Sequence, residues 1–197
     1  MTEPPWALLS LLLRYPDDRV RADVAEIEHV PAGACRDALD RFAAAWSGDP
    51  AHYVATFDLR RRATLNLTYY AHGDTRERGM ALLRIKKLYR VAGLPLASAE
   101  LPDHLPVMLA FAALAPDGYG TALLTEHHPA LELLRLSLHD LGSAYAHLLD
   151  AICTGLPALP AAGRAEVARL ASEGPPDEAV GLEPYGPPEA MPTGARP

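Results

Sequence analysis

The chain has 197 residues, enough for one domain of ordinary size, and its composition, 49% hydrophobic with only 7% aromatic, favours helices over the β-branched and aromatic usage of sheets. A formal net charge of −7 argues against nucleic-acid binding, which depends on a cationic surface. The longest apolar run near the start, "WALLSLLL", is well short of the roughly 20 residues of a membrane span and has no basic flank of the secretory kind, so a cytoplasmic protein without membrane insertion is expected.

Helical periodicity runs from residue 5 to residue 172, and no stretch alternates polar with apolar for long enough to indicate a strand. A first helix over residues 5–15 starts at Pro5 and stops at Pro16, positions that suit a ring without an amide proton. Val20, Val24 and Ile27 make a second short amphipathic stretch, and Cys35, Leu39, Phe42 and Trp46 make a third helix that ends at "SGDP". A fourth is expected to carry Tyr53, Phe57, Leu65 and Tyr69 and to end near Gly73. Tyr70, next to Tyr69, then turns away from the core and becomes the better surface contact.

"GDTRERG" over residues 73–79 places Glu77 three residues after Asp74, the spacing of a capping box, and a helix follows to about Ala92, closed by Gly93. The next helix is expected to start at Pro102 or Asp103, with Asp103 as its cap and Leu105, Met108, Leu109 and Ala112 as its buried stripe. "PDGYG" then makes a turn. Leu131, Leu134, Leu138, Leu141, Tyr145, Leu148 and Ile152 alternate steps of three and four, which predicts one long bundle helix. Residues 161–172 add another. The division is therefore a helical domain over residues 1–172 and a Pro/Gly-rich extended or disordered tail over residues 173–197.

Signs of chemistry are few. There is no Gly-x-Ser-x-Gly elbow, the glycines of "GDTRERG" lack the Lys-Ser/Thr of a phosphate loop, and no Cys-x-x-Cys is present, so no catalytic residue and no metal ligand is assigned. The two cysteines, Cys35 and Cys153, lie far apart on expected helices and suit free thiols in a reducing compartment. The alternative reading, a helical metal-dependent phosphohydrolase, rests on the His139-Asp140 pair. Charge is more informative: Arg60, Arg61, Arg62, Arg76, Arg78, Arg84, Lys86, Lys87 and Arg90 are half of the chain's 18 basic residues. Arg60, Arg61, Arg62, Arg76 and Arg78 mark a face for an anionic ligand or partner, an anionic pterin included, unless the face is merely solvated.

The stretch from Tyr53 to Gly93, "YVATFDLRRRATLNLTYYAHGDTRERGMALLRIKKLYRVAG", followed by "ELPDHLPVMLAFAALAP", resembles the NarJ family, the nitrate reductase delta chain or molybdenum cofactor assembly chaperones, within the wider TorD-like group. The resemblance covers roughly residues 6–155 and implies an all-α, single-domain helical bundle that is not an enzyme. It implies binding to the catalytic (alpha) subunit of a respiratory nitrate reductase through that subunit's N-terminal peptide, while the molybdenum cofactor and an iron-sulfur cluster are inserted. No cofactor is held stably by the chaperone itself. The group's acid-Pro-x-Asp-His type motif maps onto Pro102, Asp103 and His104, with Glu100 a looser match. These residues and Tyr70 are the expected client-peptide site, with Asp103 offered to a basic client side chain and His104 tuning affinity near neutral pH.

Overall fold

The computed structural model describes residues 4–97, 99–174 and 176; most of the predicted tail lies outside them. The described residues form an all-α bundle, as expected, of eleven α-helices: α1 Trp6–Leu12, α2 Asp18–Ala25, α3 Ala34–Ala45, α4 Pro50–Phe57, α5 Thr68–His72, α6 Arg76–Val91, α7 Leu105–Leu114, α8 Tyr119–Glu126, α9 His128–Asp140, α10 Ala146–Thr154 and α11 Ala161–Glu173. None is long and apolar enough to cross a membrane.

Local chemistry sets several of these boundaries. Asp17 caps α2 by accepting the amides of Arg19 and Val20, and Asp49 caps α4 by accepting that of Ala51, with Pro50 in the first turn. At the end of α6, Gly93 adopts φ 78°, its amide bonds to the Arg90 carbonyl and that of Leu94 to the Tyr89 carbonyl. This is the paired closure that a left-handed glycine permits.

Helix α7 is the centre of the bundle. Its sequence, LPVMLAFAAL, carries no charge, and Leu105, Pro106, Met108, Leu109, Phe111 and Ala112 are all buried. A helix apolar nearly all round must be covered on several sides, and α1 and α8 do so. The Ser10 hydroxyl on α1 donates to the Pro106 carbonyl at 2.7 Å. On the other side of the core, α3 packs on α10, α10 on α9 and α9 on α11. Tyr145 joins these layers, since its hydroxyl accepts from the Trp46 indole at 3.0 Å while its ring touches Phe42, Tyr53 and Phe57.

Four expectations need correction. The single long helix over residues 131–152 is two, because Gly142 turns left-handed (φ 61°) and α9 closes there through Gly142 N to His139 O and Ser143 N to Leu138 O. The leucine repeat continues across the break because α10 folds back on α9 and buries the same face. The fourth helix is likewise interrupted: Arg60 and Thr64 are extended, with a 3-10 turn at Arg61–Ala63 between them. The capping box at Asp74 and Glu77 does not form, since Asp74 pairs with Arg78 at 3.1 Å and Thr75 occupies the cap position. Finally, α7 begins at Leu105, with His104 at its cap, and not at Pro102 or Asp103.

Candidate functional site

The two interrupted stretches meet. They meet at a single antiparallel bridge, with Asn66 opposite His104, Leu67 N donating to Asp103 O at 3.1 Å and Leu105 N to Leu65 O at 2.8 Å. Extended backbone inside a helical protein leaves amides and carbonyls that no helix satisfies. Here each segment supplies the other. On either side of the bridge Leu65 and Leu67 are buried and Asn66 only partly so, and the chain turns helical at Leu67 to open α5.

Asp103 fastens the pair. Its carboxylate is 0% exposed and accepts three hydrogen bonds: from Asn66 Nδ2 at 3.0 Å, from the Thr68 amide at 3.2 Å and from the Thr68 hydroxyl at 2.5 Å. Arg78 of α6 comes up beneath it, with Nη2 at 3.7 Å, and also pairs with Asp74 and lies over the Tyr69 ring. Tyr89, also from α6, donates its hydroxyl to the Pro102 carbonyl at 2.7 Å. Pro102 and Asp103 are thus buried and held from both sides.

Two expected roles change accordingly. Asp103 is not open to a client side chain, because every direction from its carboxylate is already occupied by protein donors. Tyr70 is not a surface residue: it is 6% exposed, and its hydroxyl donates to the Arg62 and Thr64 carbonyls. Its neighbour Tyr69 is the less buried of the two. Burial pushes the Tyr70 phenol well above its ordinary range, so it remains a donor.

What stays open lies just outside the clasp. Asn66, Ala99, Glu100, Leu101 and His104 line a shallow depression of about 520 Å³. Glu100 and Leu101 are exposed at its edge, Leu101 at 44%. His104 Nδ1 sits 3.2 Å from Glu100 Oε2, off the direction a hydrogen bond needs, and so has no hydrogen-bond partner. Burial lowers the His104 pKa below its ordinary value, against the opposing pull of Glu100 and Asp103. At neutral pH the ring is uncharged.

The expected arginine face divides. Arg60, Arg61, Arg62 and Arg76 are exposed, whereas Arg78 is turned inward to Asp103 and Asp74. Sequence reasoning missed Asn66, Thr68 and Leu101. The signal for the first two was the polar-apolar alternation of residues 64–68, too short to stand out in a helical chain.

At positions 139–140, His139 bonds to Asp150 at 2.9 Å, not to Asp140, and Asp150 also takes Arg135 and His147. This is an α9-to-α10 tie. Among the described residues no group of three His, Cys, Asp or Glu side chains is placed to hold a metal ion. Cys35 and Cys153 are free thiols, and burial pushes Cys153 up to about 12, which makes it a poor nucleophile.

The family described as nitrate reductase delta subunit matches residues 18–161. The chain is 37% identical over 153 residues to the nitrate reductase-like protein NarX of Mycobacterium tuberculosis strain H37Rv, which covers 75% of this chain and 24% of that protein. It therefore spans about a quarter of that relative's length. It is 33% identical over 160 residues to the probable nitrate reductase molybdenum cofactor assembly chaperone NarJ of Bacillus subtilis, covering 77% of this chain and 87% of that one. To the nitrate reductase molybdenum cofactor assembly chaperone NarJ of Escherichia coli K12 it is 39% identical over 100 residues, 51% of this chain and 42% of that one.

Proposed function

The chain belongs to the nitrate reductase delta subunit family, and on that premise we propose that it is a system-specific assembly chaperone and not an enzyme. It binds the apo catalytic subunit of a nitrate reductase in the cytoplasm through that subunit's N-terminal peptide. It keeps this client competent while molybdenum cofactor and an iron-sulfur cluster, the client's own groups, are inserted, and it holds no cofactor stably itself.

The observation that carries this reading is the pairing of a rigid clasp with an open rim. Pro102, Asp103 and Asn66 set the backbone of the 99–104 loop, and that loop presents a carboxylate, Glu100, beside an exposed leucine, Leu101. An acidic group next to apolar surface suits a peptide with basic and apolar side chains. Glu100, Leu101 and His104 are the contact residues of this proposal. Pro102 and Asp103 are positioning residues, and Tyr70 braces the wall behind them. The phosphohydrolase alternative has no support, because His139 serves the α9-to-α10 tie.

The test is calorimetric titration of the full chain with a synthetic peptide of the client's N-terminal residues. Micromolar or tighter binding, about −8 kcal/mol, is expected, weakened roughly tenfold by Glu100→Gln with Leu101→Ala. Both positions are exposed, so the paired substitution leaves the fold intact. Tight binding that ignores it would move the site elsewhere, and no binding would overturn recognition through that peptide.

A further inference from the structure

The outward side of α6 is unusual for a helix packed on a bundle. Its inward side is ordinary, with Ala81, Ile85 and Tyr89 buried. On the outward side Met80, Leu83, Lys87 and Val91 follow each other at steps of three, four and four, the spacing that aligns side chains along one stripe. Met80, Leu83 and Val91 are 69%, 59% and 64% exposed. Lys86, Lys87 and Arg90 lie on or beside this stripe, exposed and without an acidic partner among the described residues, whereas the neighbouring Arg84 is paired with Glu126. The helix has one acid, Glu77 in its first turn, which lies 3.9 Å from His72. A row of bare apolar side chains among such cations is a surface that lacks its complement.

Charge and shape identify the complement. It is negative, and a second copy of the same face is excluded because cations would meet cations. Met80, Leu83 and Val91 stand on the outer curve of the helix and line neither the depression at Glu100 nor the crevice between α5, α6, α9 and α11 that Arg84 borders. A ridge without a groove has nothing to wrap around a partner helix, and it seats best in a medium that yields to it. The apolar and cationic side chains also share one arc. At a bilayer surface both are satisfied together, since the long stems of Lys and Arg reach the headgroups while the shorter apolar side chains sink below them. Helix α6 holds six of the chain's 18 basic residues and one of its 25 acidic ones. The rest of the chain is strongly acidic, so this face alone is drawn to an anionic plane and the remainder is held off, which fixes the orientation.

We propose that the outward face of α6 is a peripheral docking surface for an anionic lipid bilayer, with Met80, Leu83 and Val91 at the boundary between headgroups and acyl chains and Lys86, Lys87 and Arg90 on the lipid phosphates. The 16-residue helix, about 24 Å long, lies in the plane of the surface and does not cross it. This face shares no residue with the rim at Glu100, and the inference does not rest on the chaperone reading.

The test is co-sedimentation of the full chain with vesicles of phosphatidylglycerol and phosphatidylcholine in equal parts, against vesicles of phosphatidylcholine alone. The mixed vesicles should bind it roughly tenfold or more tightly, and added salt should weaken that binding. Two triple variants, at exposed positions that leave the helix intact, separate the contributions. Lys86→Gln, Lys87→Gln, Arg90→Gln should lose roughly tenfold or more of the affinity for the mixed vesicles. Met80→Ser, Leu83→Ser, Val91→Ser keeps every cation and should still lose roughly tenfold. Full binding by the serine variant would reduce the contact to electrostatic adhesion and overturn the proposal. Arg60→Gln, Arg61→Gln, Arg62→Gln is the control and should bind like the unaltered chain; loss there, with both α6 variants unaffected, would move the contact off α6 and overturn it as well. Absence of binding to the mixed vesicles by the unaltered chain would exclude lipid and leave the face to an acidic amphipathic protein.

Discussion

Asp103 joins chain segments 35 residues apart, and its oxygens face only donors: two from Thr68, one from Asn66 and the guanidinium of Arg78. Asparagine in its place turns an amide NH₂ toward one of those donors and leaves a buried donor unmatched, which costs on the order of 2 kcal/mol. Urea unfolding of Asp103→Asn should show that loss with an unchanged slope, and a variant as stable as the parent would mean the clasp does not hold the loop. His104 has the opposite exposure to solvent chemistry. Its pKa is lowered by burial, so the folded state takes up a proton less readily than the unfolded one. Above about pH 6.5 neither state is protonated there and stability is unaffected. As the pH falls from that value through the lowered folded pKa, the unfolded state binds the proton first and stability is lost. His128 is shifted the same way, chiefly by burial, so His104→Gln should reduce, without abolishing, the difference in unfolding free energy between pH 7.5 and pH 5.5. An identical difference in parent and variant would sever His104 from it.

Among the elements, two glycines separate backbone geometry from packing. Gly120 lets α8 approach α7 so closely that a Cβ would collide with the Ala112 backbone, whereas Gly142 has open space around it and a φ of 61°. Gly120→Ala therefore forces two packed helices apart, at about 2 kcal/mol. Gly142→Ala strains only its own residue, at about 1 kcal/mol. Asparagine distinguishes the causes: it tolerates the left-handed region, so Gly142→Asn should recover much of the alanine loss, while Gly120→Asn should be worse than Gly120→Ala. Equal effects of asparagine at both sites, read as thermal midpoints, would contradict this assignment. The same glycines mark where the sequence is legible. Helix positions follow from the three-four spacing of apolar residues, and Gly93 reads as a stop because Leu94-Pro95 follows it. Gly142 does not, since the leucine repeat passes straight through it. The proline, aspartate and histidine of the clasp stand out as a motif, yet Asn66 and Thr68, which give Asp103 its role, are remote in sequence and are brought to it only where the two connections meet at the Asn66–His104 bridge.

For the molecule as a whole, the continuous apolar core runs from Trp6 through α7 to Ile152 and Leu156, and α11 lies outside it. That helix buries only Gly163 and Leu170 of its thirteen residues and packs on α9 alone among the larger contacts. Little apolar area is lost when it detaches, whereas opening α7 or α10 exposes the centre of the core, so the free energies of local opening must differ between them. Native-state hydrogen exchange should find the α11 amides protected far less than those of α7 and α10, with an opening energy that barely responds to Asp103→Asn. Exchange of α11 together with the core, at one common free energy, would instead make it an integral part of the bundle.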